Sequence, residues 1–128
     1  MQGDSALGRA LAIQERAARV GFDWPDAVGP MAKVKEEIAE IEREAGGGKR
    51  EALLEEVGDL MFAVVNLARK LGIDPATALE GATDKFVRRF AAVAQLAAKR
   101  GLVMGQASLE ELDALWNEVK GGTAPDRP

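Results

Sequence analysis

Between Lys49 and Leu71 the chain is apolar nearly all the way round a helix, apart from one narrow polar stripe. At about 100° per residue, Leu53, Val57, Leu60, Val64, Leu67 and Leu71 form one broad apolar face. Met61, Val65 and Ala68 widen it on one side, and Phe62 sits well round on the other. Glu56, Asp59, Ala63 and Asn66 are left as a stripe with apolar residues on both flanks. A helix that is apolar nearly all round is ordinarily buried, so this stripe is expected to face an interior pocket.

A second acidic signature precedes it by about one loop. Lys33-Val34-Lys35-Glu36-Glu37-Ile38-Ala39-Glu40 contains Glu-Glu-x-x-Glu, and the later helix contains Glu56-x-x-Asp59. Carboxylates three apart project from neighbouring positions on one side of a helix. On the earlier helix, Val34, Ile38 and Ile41 define an apolar face, with Glu37 at its edge and Glu40 just beyond. Two such helices packed together bring up to four carboxylates, Glu37, Glu40, Glu56 and Asp59, to one point. Unpaired, they repel and are costly to desolvate. A hard divalent cation resolves both problems, and Mg²⁺, with Mn²⁺ as a substitute, favours oxygen ligands. Solvated acidic faces are the ordinary alternative, since 30% of the chain is charged. The inward stripe favours the metal site.

Composition removes several chemistries. Cys and His are both absent. Disulfides, thiol catalysis, His-based triads and His-ligated zinc are excluded, as is the Glu-x-x-His pattern of di-iron bundles. Acid–base work falls to carboxylates, Lys or metal-bound water. Net charge is −4 and the pI about 5.0, which disfavours a general nucleic-acid surface. No apolar run reaches spanning length and no secretory signal is visible, so no membrane partner is expected and a cytoplasmic location is.

The whole chain reads as helix. The first helix runs from about Ser5 to Val20, and Phe22-Asp23-Trp24-Pro25 is a connector. The second runs from about Pro30 to Ala45, Gly46-Gly47-Gly48 is a plain turn, and the third runs from about Lys49 to Leu71. Gly72 is a stop, Asp74 an N-cap and Pro75 a first helical residue, opening a helix to about Arg100. Ser108-Leu109-Glu110-Glu111 is a capping-box pattern for a last helix to about Lys120. The expected organisation is one domain over residues 1–120 with a flexible tail at 121–128. Short loops between long helices imply an all-α antiparallel bundle. The third helix is too apolar for a small monomer to cover, so an oligomer is expected, a dimer first and a tetramer second.

The cationic side lies on the fourth helix, in Lys85-Phe86-Val87-Arg88-Arg89-Phe90. Phe86, Phe90, Val93 and Ala97 set its apolar face, with Lys85 and Arg89 along one edge. Such a pair suits phosphate oxygens, though pairing with surface acids is the alternative. Beside a carboxylate–metal site it fits a polyphosphate. No Gly-x-x-x-x-Gly-Lys-Ser/Thr loop exists, so this is not a P-loop enzyme. On the last helix Trp116 and Lys120 are placed to stack on a base and meet phosphate, or else to serve as core and C-terminal cation. Trp24 and Phe22 carry the same ambiguity, with core or staple favoured. Asn66, on the inward stripe, is a further candidate substrate contact.

Taken together, several segments resemble MazG-type nucleoside triphosphate pyrophosphohydrolases. They are Gly21-Phe22-Asp23-Trp24-Pro25, Glu36-Glu37-x-x-Glu40, Glu56-x-Gly58-Asp59-Leu60 and Val65-Asn66-Leu67-Ala68-Arg69, with Lys85-Phe86-x-Arg88-Arg89-Phe90 and Leu115-Trp116-x-x-Val119-Lys120. The resemblance covers about Leu7 to Lys120. It implies an all-α dimer that hydrolyses NTP to NMP and pyrophosphate, in a house-cleaning role on nucleotide pools. It implies Mg²⁺ on residues matching Glu37, Glu40, Glu56 and Asp59. It implies nucleotide contacts from residues matching Lys33, Lys85, Arg89, Trp116 and Lys120. Many relatives carry two such domains in tandem, and this chain resembles the second alone. Glu36 is a candidate base, or a candidate to support the metal ligands from beside them, although it points about 100° away from Glu37. Two other readings remain: a narrower all-α pyrophosphatase acting on dUTP, dCTP or phosphoribosyl-ATP, and a non-catalytic helical dimerisation module.

Overall fold

A computed structural model describes residues 5–122. Five α-helices account for the regular structure: α1 (Ala6–Arg19), α2 (Val28–Ala45), α3 (Arg50–Lys70), α4 (Pro75–Lys99) and α5 (Leu109–Gly122). No strand occurs among the described residues. Residues 123–128 of the expected tail lie outside the described region, and α5 takes in Gly121 and Gly122. No helix among the described residues is long and apolar enough to cross a membrane.

The boundaries follow local chemistry. The Ser5 hydroxyl accepts from the Gly8 amide at 2.9 Å and caps α1. After α1 the chain reverses through Gly21 at φ 92°, a left-handed conformation that side chains disfavour. Asp74 caps α4 by accepting from the Thr77 amide at 3.0 Å and the Thr77 hydroxyl at 2.7 Å. Pro75 follows at the first helical position, where a missing N–H costs nothing. The Ser108 box is complete. Its amide donates to Glu111 at 2.8 Å, and the Glu111 amide donates to the Ser108 hydroxyl at 3.1 Å.

The chain divides between Ala78 and Leu79 into two compact units. In the first, the Gly46–Lys49 turn folds α2 and α3 into an extensively packed hairpin, and α1 packs on α3. Its buried residues include Gln14, Pro30, Glu37, Ala63 and Val65. The face of α2 that turns inward runs through Pro30, Val34, Glu37 and Ile41. This corrects the expected face through Ile38, which is 45% exposed, while Glu37 is buried at its centre. On α3 the inward line runs through Leu53, Glu56, Leu60, Ala63 and Leu67. Val57, Val64 and Leu71, expected in the core, are exposed in the single chain. Leu54, Val57, Met61 and Val64 form an uncovered stripe at spacings of three and four, and Leu71 follows two turns on.

In the second unit, Val93, Ala97 and Leu115 form the core, covered by Leu96, Leu102, Leu112, Trp116 and Val119. Arg100 grips Glu118 through two hydrogen bonds of 2.6 and 2.7 Å. Here too the apolar face is displaced. Arg89, Val93 and Ala97 are buried, whereas Phe86 and Phe90 are exposed and stack on one another at 6.0 Å.

Candidate metal and nucleotide site

The packing of α2 on α3 brings Glu37, Glu56 and Asp59 together. One carboxylate oxygen from each lies within 4.8 Å of the others. The Glu37 side chain is 8% exposed, Glu56 is half-buried and Asp59 is open to solvent. Glu56 Oε2 is shut off from water and has no hydrogen-bond partner among the described residues. Desolvation raises the Glu56 pKa, and the charges of Glu40, Glu37 and Asp59 raise it further. A buried oxygen with nothing to accept from, held among like charges, is what a hard cation would satisfy. The all-oxygen donor set suits Mg²⁺ or Mn²⁺. Glu40 lies near enough to raise the Glu56 pKa, but it is bonded to Arg43 and is not in the three-residue cluster.

Lys33 supplies a positive charge at the rim. Its ammonium is 3.2 Å from Glu36 and 3.5 Å from Glu37. The hydrogen bond to Glu36 is the main cause of its raised pKa. Glu36 is 58% exposed and turned to Lys33, so it stands outside the three-residue cluster.

Two cavities open beside the cluster. The smaller, about 320 Å³, is lined by Lys33, Glu37, Asp59 and Ala63, together with Trp24, Phe62 and Asn66. The larger, about 500 Å³, shares Trp24, Phe62 and Asn66 and adds Gln14, Phe22, Asp23 and Arg69. Asn66 therefore stands at the junction. Arg69 donates to its Oδ1 through Nε at 3.0 Å and Nη2 at 2.8 Å, which leaves the Asn66 amide nitrogen as a donor.

Phe22 and Trp24 are not core, contrary to expectation. They are 82% and 41% exposed and line the larger cavity. Trp24 is seated by Gly29, where an added Cβ would fall 2.2 Å from the indole ring. Gln14, Phe62, Asp23 and Arg69 were not flagged as site residues by sequence. The one available signal was the Phe22-Asp23-Trp24 connector and the Asn66–Arg69 segment, since Asp23 accepts from both Arg69 and Lys70.

The remaining candidates lie in the second unit. Lys85 is half-buried and Arg89 is 8% exposed. Trp116 packs on the core and on Phe86, with ring centroids 5.4 Å apart. Lys120 is exposed on the last turn of α5.

Comparison with known proteins agrees with this acidic, all-α frame. The family model described as the MazG nucleotide pyrophosphohydrolase domain matches residues 29–94, just over half of the chain. The nucleoside triphosphate pyrophosphohydrolase/pyrophosphatase MazG of Thermotoga maritima is 47% identical over 117 residues, covering 91% of this chain and 45% of that protein. The nucleoside triphosphate pyrophosphohydrolase of Escherichia coli K12 is 48% identical over 118 residues, covering 90% of this chain and 44% of that one. Bacillus subtilis YabN is 46% identical over 65 residues, covering 51% of this chain and 13% of its own length. The chain thus spans a little under half the length of the two pyrophosphohydrolases. On the family match, this chain belongs to the MazG nucleotide pyrophosphohydrolase domain family.

Proposed function

We propose that this chain hydrolyses nucleoside triphosphates to nucleoside monophosphate and pyrophosphate, using a divalent cation held by Glu37, Glu56 and Asp59, with Glu40 beside them. The observation that carries this is the carboxylate cluster, with its buried, unpartnered Glu56 oxygen, opening onto a cavity that also holds Lys33. The named activity of the Thermotoga maritima and Escherichia coli relatives supports it.

When bound, Mg²⁺ supplies charge neutralisation and Lewis acidity at phosphate oxygens. The chain's own residues do the rest. Lys33 lies at the cavity rim, where an ammonium meets phosphate charge. Asn66 offers its amide N–H groups at the junction of the two cavities. Lys85 and Arg89, and Trp116 with Lys120, are the remaining nucleotide contacts in this reading. The first pair would hold the phosphate tail and stabilise the leaving pyrophosphate. A carboxylate at the cluster orients the attacking water, with Glu36 the weaker candidate because it is turned to Lys33. The exposed stripe of Leu54, Val57, Met61 and Val64 supports assembly as a dimer.

The test is a panel of NTPs and dNTPs with Mg²⁺, resolved by chromatography. Release of NMP and pyrophosphate is expected. Accumulation of NDP and orthophosphate would mean attack at the γ-phosphorus and would overturn the proposed polarity. If nothing turns over, and neither Mg²⁺ nor a non-hydrolysable nucleotide raises the melting temperature, the chain is a helical module instead.

A further inference from the structure

Of the three residues shared by both cavities, Trp24, Phe62 and Asn66, only Asn66 carries a carboxamide. What such a group offers depends on which way it is turned. One end is an acceptor, the other holds two N–H donors, and the two ends are alike in shape. A half-turn about its last bond would exchange donor for acceptor without a clash. Nothing in the helix backbone chooses between the two orientations.

Arg69 chooses. It lies three residues on, on the same side of α3, and its guanidinium has donors only. Nε and Nη2 both reach Asn66 Oδ1, at 3.0 and 2.8 Å. A flipped amide would set N–H against N–H and lose both bonds. Arg69 is fixed in its turn. Nη1 donates to Asp23 at 3.2 Å, Nη2 donates to the same carboxylate, and Lys70 adds a bond to it at 3.1 Å. The Arg69 side chain is 14% exposed and that of Asp23 is 22% exposed. Two edges of one planar fork are thus used at once, one on the amide and one on the carboxylate. An ammonium has no second edge. The relay polarises the Asn66 amide and makes its N–H groups stronger donors. It also engages the amide oxygen, the only atom of Asn66 that a hard cation at the neighbouring cluster could take.

We propose that Arg69, aimed by Asp23, is a positioning residue that holds the Asn66 amide with its N–H groups toward the substrate. This rests on the nucleotide reading of the acidic site and of Asn66. Asn66 then donates to an acceptor oxygen of the nucleotide and is not a metal ligand. Arg69 acts through Asn66 and not by a contact of its own.

The test is a double-mutant cycle on Arg69 and Asn66. It is read by calorimetric binding of a non-hydrolysable NTP analogue with Mg²⁺, which needs no turnover, beside a thermal melt of each variant. Asn66→Ala should weaken binding about 10-fold and Arg69→Ala about 5-fold. In an Asn66→Ala background, Arg69→Ala should cost less than about 2-fold more, because the amide that it positions is gone. Additive losses would mean that Arg69 only ties the connector to α3, and would overturn the proposal. So would unchanged affinity in Arg69→Ala, or no binding by the wild type. If Arg69→Ala does not fold, Arg69→Lys takes its place in the same cycle. It keeps a charge beside Asp23, so its melting temperature should stay near that of the wild type while its affinity falls about 5-fold. Wild-type affinity in Arg69→Lys would overturn the proposal. Coupled losses without pyrophosphate release from any NTP would sink the hydrolase reading alone. Pyrophosphate release with additive losses would sink the Arg69 assignment alone.

Discussion

Asp23, on the connector between α1 and α2, accepts two hydrogen bonds from the guanidinium of Arg69, 46 residues later on α3. Arg69 and its neighbour Lys70 hold the Asp23 carboxyl well below the usual carboxylate range, the Arg69 bond contributing most. A depressed folded pKa gives stability that is present above the unfolded value, near 4, and lost as pH falls through the folded value. Asp23→Asn should therefore lower the melting temperature at neutral pH. The gap from wild type should shrink progressively below about pH 4. A gap independent of pH would mean that the ion pair is not its source. Thermal melts across pH 2–7 make the comparison.

Asp59→Ala should abolish turnover and leave the fold intact. The substitution removes one ligand from the three-oxygen cluster and relieves repulsion on Glu56. Without Mg²⁺ its stability should match or exceed that of the wild type. With Mg²⁺ at about 100 times its Kd, the wild type should gain about 2.7 kcal/mol and the variant much less. Wild-type activity in this variant would remove the metal assignment.

Lys85→Ala and Arg89→Ala should each cost about 1.5–3 kcal/mol of transition-state stabilisation, or roughly 10- to 150-fold in kcat/KM. The loss should depend on phosphate-tail length and little on the base. Arg89→Lys should rescue only in part, because an ammonium cannot grip two oxygens as a planar fork does. Arg89 is buried in line with Val93 and Ala97, so each variant's melt is measured beside its kinetics. A change in base preference from either residue would contradict the phosphate assignment.

The uncovered stripe on α3 predicts self-association. Met61, 61% exposed between Val57 and Val64, stands in the middle of it. Met61→Lys should shift a dimer toward monomer in light scattering at micromolar concentration, since a charge on such a seam is left desolvated. A wild-type monomer with full activity would refute the dimer.

Helix extents were legible because their signals are local. Ser5, Asp74, Pro75 and the Ser108–Glu111 box each act within one turn, and each cap forms as its spacing indicates. The acidic cluster was legible in part for the same reason, since i,i+3 spacing sets Glu56 beside Asp59 and needs only one partner helix. Which face of α2 and α4 turns inward was legible only in part: Val93 and Ala97 are buried as expected, and the α3 stripe does line a cavity. Apolar periodicity placed Ile38 in the core and Glu37 at its edge, yet Glu37 is 6% exposed and Ile38 is 45% exposed. The same shift puts Arg89 inside and Phe86 and Phe90 outside.

By itself the sequence determined the all-α class, the helix boundaries, the absence of His and Cys chemistry, and the carboxylates available to a cation. Those follow from residue type and from interactions within a few residues. Only the tertiary structure decided that Gln14 turns its amide to the Phe62 carbonyl and lines a cavity, and that Asp23 meets Arg69. A lone Gln on an amphipathic helix, or an Asp in a connector, has no periodicity to reveal it. Its partner is set by how α1 and the connector come to rest against α3, a relationship between distant segments that no local spacing encodes.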